Sequence, residues 1–162
     1  MSCFTKKLLA LASGLMFLLV LSALSWGASS QPIGSITAIE GEAWLTHRGD
    51  KASYPAMLGD SIYLYDHIQT EIASRVQILF EDESLLNLAE NTTIQITEHV
   101  YLPEENRWSV VIQVLTGGIR GIVGRYSGGL GSRSRYIIST PTDTIAVEHG
   151  RFVVDAAAGR IQ

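Results

Sequence analysis

From Ile33 onward the apolar residues of this chain recur at every second position, and Gly, Asp, Asn or Pro interrupts them roughly every 8 to 12 residues. A period of two puts successive side chains on opposite faces of an extended strand, whereas an amphipathic helix needs a period of about 3.6. Val76, Ile78 and Phe80 alternate with Arg75, Gln77 and Leu79. In the same way Trp108, Val110, Ile112 and Val114 alternate with Ser109, Val111, Gln113 and Leu115. One face is apolar and the other mixed. Further strands are predicted over 35–39, 42–47, 61–65, 84–88, 92–97, 119–123, 136–140, 144–147 and 151–155. The polar stretches 81–83, 90–91 and 103–106 read as tight turns. After Gly27 no segment keeps a helical period over three turns. The prediction is an all-β single domain over 33–162, built as a sandwich, a roll or a short solenoid-like coil.

The first residues follow a different rule. Lys6 and Lys7 precede the run from Leu8 to Leu24, which is apolar apart from Ser13, Gly14 and Ser22, and small residues follow it. A basic start, an apolar centre and a small-residue end make residues 1–27 a predicted signal peptide with a signal helix. Cleavage after Gly27 sets Ser25 and Gly27 at the two positions that need small side chains, while cleavage after Ala28 would put Trp26 in one of them. If the segment is retained, it anchors the chain, because about 17 apolar residues lie at the lower limit for crossing a bilayer. In both cases the rest of the chain is expected to be periplasmic or extracellular.

The chain carries a net charge of −4, which becomes −6 once Lys6 and Lys7 leave with the signal. Nucleic acid is therefore not an expected partner, since sequence-independent binding draws on clustered Lys and Arg. The one cysteine, Cys3, precedes the apolar run, so neither a disulfide nor a lipid anchor is expected in the mature chain.

Gly34 and Gly41 flank the first strand, and Leu58-Gly59-Asp60 and Ile68-Gln69-Thr70 follow. The strand 74–80 then leads to Asp82, Ser84, Leu86 and Leu88, to the turn at Asn91 and Thr92, to 115–120 (Leu-Thr-Gly-Gly-Ile-Arg) and to Ile138-Ser139-Thr140-Pro141. In order and spacing this pattern resembles the FecR-like domain family, the extracytoplasmic part of iron-dicitrate-type regulators, over about Ile33 to Val154. It departs from that family's closing Val-Arg-Gly-Thr, reading Val147-Glu148-His149-Gly150-Arg151 instead. The resemblance implies an exported stand-alone domain. A full regulator of that kind adds a cytoplasmic anti-sigma segment and a later signalling segment. Neither is expected here, nor is direct control of a sigma factor by this polypeptide alone.

Chemistry-bearing residues are sparse. Asp66-His67, Glu98-His99 and Glu148-His149 pair an acid with a histidine, and His47 is the fourth histidine. Neighbours on a strand face opposite ways, so no pair presents both side chains to one ion, and these residues read as solvated turns with no metal site expected. Glu81, Asp82 and Glu83, consecutive in a turn, also read as solvated. No Gly-x-Ser-x-Gly elbow occurs, so no enzyme activity and no cofactor are expected. Asn91-Thr92-Thr93 reads as a turn in preference to a glycosylation acceptor.

The exceptional stretch is 117–135, with seven glycines, four arginines and no acid. Arg120, Arg125, Arg133 and Arg135 form the candidate ligand-binding set, since backbone amides and guanidinium groups suit an anion. The plain alternative is a long hairpin loop between Val123 and Tyr136. The expected role is that of an exported non-enzymatic binding or signalling module in the cell envelope, acting through an envelope protein or a surface polymer. The alternative is a structural subunit of an envelope or adhesive assembly, working through its strand edges.

Overall fold

The computed structural model describes residues 31–105, 107–123, 135–147, 150–156 and the backbone of 160–161. The predicted signal helix and most of the Gly/Arg-rich stretch lie outside the described residues.

Among the described residues there are fourteen strands: β1 (Gly34–Glu40), β2 (Ala43–Thr46), β3 (Tyr54–Pro55), β4 (Ser61–Ile62), β5 (His67–Thr70), β6 (Arg75–Phe80), β7 (Leu85–Leu88), β8 (Thr93–Leu102), β9 (Arg107–Thr116), β10 (Gly118–Val123), β11 (Arg135–Ser139), β12 (Thr144–Val147), β13 (Gly150–Asp155) and β14 (Arg160–Ile161). A 3₁₀ turn, Pro103–Glu105, joins β8 to β9. The first sheet has the order β14-β13-β10-β7-β6-β1-β4 and the second β12-β11-β9-β8-β5-β2-β3. Read side by side, the two orders climb together from β1–β4 to β11–β14. The chain therefore winds from sheet to sheet, one rung after another. Of the three predicted arrangements, the result is a sandwich with a coil-like path.

Alternation sets the packing. Ile36, Val76, Ile78, Phe80, Leu86 and Leu88 turn inward from the first sheet, and Leu45, Ile68, Ile94, Ile96, Val110 and Ile112 from the second, into one continuous core. Ring contacts cross between the layers: Tyr136 of β11 lies 5.6 Å from Phe152 of β13, and Phe80 of β6 lies 5.8 Å from His99 of β8. Truncating any one of the fully buried isoleucines to Ala should cost about 2–5 kcal/mol, the usual range for a buried aliphatic side chain.

Three expectations about the strands and their connections change on the structure. Strand β8 was predicted to end at 97 and continues to Leu102. A bulge between Ile96 and Glu98 flips its parity, so that His99, opposite Val110, turns toward the core. The strand predicted over 61–65 ends at Ile62, because Tyr65 takes a positive φ of 72°. The stretch 123–136 is also not a hairpin connection. Val123 ends in the first sheet, Arg135 begins in the second, and β11 runs parallel to β9.

Gly117 shows how tightly the rungs are joined. Its φ is +76°, and a Cβ there would lie 2.6 Å from both the Asn91 carbonyl oxygen and Thr92 Cα. Gly49 has a similar φ of +88° but open space around it. Gly49→Ala should cost about 1 kcal/mol from backbone strain alone. Gly117→Ala should cost about 3 kcal/mol, since strain and overpacking add there. Urea unfolding of the two variants measures the difference.

Candidate functional site

The outward side chains of the first sheet form two rows across its central strands. Leu79 stands opposite Leu85, and Leu85 opposite Ile122. Leu79 and Ile122 are 41% and 42% exposed, which is unusual for side chains of this size in a sheet. Beside this apolar row runs a polar one. Thr37 Oγ1 donates to Gln77 Oε1 at 3.2 Å, Gln77 Nε2 donates to Asn87 Oδ1 at 2.9 Å, and Asn87 Nδ2 donates to the Arg120 carbonyl at 3.5 Å. Arg120 is itself opposite Asn87 on one side and Val153 on the other. At the end of these rows lies a groove of about 720 Å³ lined by Arg75, Asn87, Glu90, Arg120, Val153 and Asp155 among others. Arg75 also meets Glu40 at 3.9 Å, an exposed pair of small energetic weight.

Arg120 is thus the member of the predicted arginine set that stands in this surface. Arg135 begins β11 on the outer face of the second sheet, beside Glu98 and Arg107, and its Nε donates to Ser109 Oγ at 3.4 Å. Because inward residues of both sheets share one core, the outer faces look away from each other, and the two described arginines do not converge. Arg125 and Arg133 lie outside the described residues. Leu79, Leu85, Ile122 and Val153 escaped the sequence reading. Their signal was apolar residues at both parities of one strand, as in Val76 to Phe80 and in Phe152 to Val154.

Of the acids read as solvated turn residues, Asp66 and Asp82 are buried, while Glu81 and Glu83 are exposed. Asp66 is fully buried and takes the Tyr63 N–H at 2.8 Å and His47 Nδ1 at 2.9 Å, while the Arg48 backbone N–H also favours its charge. Tyr54 Oη bonds the other ring nitrogen of His47, which completes a Tyr54–His47–Asp66 chain. Burial pushes the Asp66 carboxyl above its usual range, and the Tyr63 and His47 hydrogen bonds oppose that shift. Tyr54 is pushed up to about 12 by its burial and then by the carboxylates of Asp66, Asp60 and Asp50. Asp82 accepts from the Trp108 indole, from the Ser84 N–H at 3.0 Å and from Ser84 Oγ at 2.9 Å. Beside it His99 is lowered by burial against the pull of Asp82 and Glu81, and Tyr136 is raised by burial and by Asp82. Both networks tie turns to strands. Among the described residues no three His, Cys, Asp or Glu side chains gather as metal ligands would. Glu148-His149 lies outside them.

An all-β sandwich wound rung by rung, with its buried acids Asp66 and Asp82 committed to internal hydrogen bonds, defines the class of protein. The family model described as FecR protein matches residues 66–162, and the chain belongs to that family, a regulatory and signalling one. No curated protein and no solved structure matches the chain. The match begins at Asp66, yet β1 to β4 sit in the same two sheets: β1 pairs with β6, and β2 with β5.

Two measurements test these ties. Asp82→Ala removes the acceptor of the buried Trp108 indole N–H, and at about 1–3 kcal/mol for an orphaned buried donor it should destabilise the domain by about that amount. Urea unfolding followed by tryptophan fluorescence reads that loss. In an alkaline titration followed by tyrosinate absorbance, Tyr54→Phe should remove a step near pH 12. An unfolded tyrosine releases its proton at about 10, while folded Tyr54 holds it to about 12. The native state therefore binds more protons in that window and loses stability as pH rises through it, and Tyr54→Phe should flatten the loss.

Proposed function

We propose that residues 1–27 export this chain and that it works in the cell envelope as a non-enzymatic signalling module, binding a protein partner through the outer face of its first sheet. A surface polymer is the alternative ligand. One observation carries the reading: an exposed apolar row, Leu79–Leu85–Ile122, lies beside a hydrogen-bonded polar row that ends at Arg120. A protein interface needs such a mixture, with apolar surface to bury and fixed polar groups to set register. Family membership supports the signalling role, since the family is a regulatory and signalling one. The non-enzymatic reading is supported by the commitment of His47, Asp66 and Asp82 to internal hydrogen bonds. The basic start and apolar run of the first residues support export.

The test is cross-linking and capture from envelope extracts with wild type and with the double variant Leu79→Glu, Ile122→Glu. Both side chains already face solvent, so the variant should fold with little loss. Wild type should capture a defined partner and the variant at least tenfold less of it. Equal capture by both would remove this face from the proposal. Export is tested separately by the N-terminal sequence of the mature protein, which should begin at Ala28.

A further inference from the structure

The two ends of the sandwich are finished differently. Where winding begins, the outermost strands β3 and β4 are two residues each, and β3 contains Pro55, which has no N–H to offer a neighbour. Where it ends, the outermost strand of the second sheet is β12, Thr144-Ile145-Ala146-Val147. It has no charge and three β-branched residues, and among the described residues only its β11 side is paired. Natural edges usually carry a charge, a proline or a bulge to prevent pairing. This edge carries none.

Hydrogen-bond parity shows what the edge offers. The Thr140 N–H donates to the Asp143 carbonyl across the turn, so 140 and 143 form a bonded pair. Bonded and non-bonded pairs alternate along an antiparallel ladder. Ile145 and Val147, opposite Ile138 and Tyr136, therefore bond to β11, and the backbone groups of Thr144 and Ala146 face away from it. The Asp143 carboxylate takes the Thr144 N–H at 2.7 Å. Ala146 is left with an outward N–H and an outward carbonyl. Ile145 and Val147 pack on the core but stay only half-buried.

We infer that β12 is a self-pairing edge, where a second copy of this chain sets its own β12 antiparallel about a two-fold axis through Ala146. Each Ala146 N–H then donates to the other copy's Ala146 carbonyl. In that register Ile145 of one copy lies opposite Val147 of the other, on the core side, and the half-buried pairs cover each other. The strand brings no charge, so two copies meet without like-charge repulsion. An isologous contact of this kind closes at two subunits. This inference does not depend on the outer face described above.

Sedimentation velocity of the full-length protein over a wide concentration range tests it. Wild type should form a dimer that dissociates on dilution. Ala146→Pro removes the outward N–H while breaking no hydrogen bond to β11, and Ala146→Lys sets two ammonium groups opposite each other across the axis. Each should weaken the dimer at least tenfold while urea midpoints, read alongside, stay near wild type. A wild type that is monomeric throughout overturns the inference. So does a dimer that persists in both folded variants, or a monomer that takes up a foreign strand at this edge in place of its own.

Discussion

Two buried threonines hold the winding together. Each time the chain leaves one sheet for the other, its backbone passes out of the ladder, and a buried amide or carbonyl without a partner is costly. At the central crossing Thr70 and Thr92 supply what the ladder does not. The Thr92 N–H bonds Thr70 Oγ1 at 3.0 Å, and the Thr70 N–H bonds the Thr92 carbonyl at 2.9 Å. Thr92 Oγ1 accepts from the Gly118 N–H and donates to the Gly118 carbonyl, each at 3.0 Å. Two hydroxyls thus tie β5, the turn before β8 and the start of β10 into one knot, and Gly117 is needed because no Cβ fits against it. Ser74 repeats the device at the first crossing, where its Oγ takes the Glu42 N–H at 2.9 Å. Asp60 repeats it again by taking the Met57 N–H at 2.8 Å.

This explains which parts of the molecule could be read beforehand. The residues that carry the family resemblance, such as Gly41, Asp60, Thr70, Ser74, Asp82, Thr92 and Gly117, tie turns and crossings together. Alternation located most strands, because a half-buried strand writes its period into the chain directly. It failed at the β8 bulge, where one added residue reverses the parity, and at β3 and β14, too short to show a period. The buried acids were misread for a different reason. A run such as Glu81-Asp82-Glu83 looks solvated locally, and what buries Asp82 is Trp108, 26 residues away. Asp66 likewise depends on His47, 19 residues earlier.

The candidate surface was hidden by the same winding. Arg120 and Arg135 look like neighbours in a single Gly-rich stretch, but β10 and β11 enter different sheets, so their side chains project on opposite sides. Arg120 instead meets Asn87 and Val153, brought to it by register. A face assembled from β6, β7, β10 and β13 has no compact motif, because no two of its central rows come from adjacent residues.

The geometry of the rungs also separates two ways of meeting a partner. The outer face belongs to the central strands, whose crossings are fixed by the threonine and serine ties, so its rows are held in register and suit recognition of one shape. The β12 edge belongs to the last rung, bonded among the described residues on one side only, and what it offers is backbone. Backbone hydrogen bonds are indifferent to sequence, so selectivity there must come from Ile145 and Val147, whose half-buried side chains are matched by the same two residues in a second copy. A charge on the face therefore alters partner choice without touching the edge. A proline at Ala146 closes the edge without disturbing the face, because the two share no strand and no hydrogen bond.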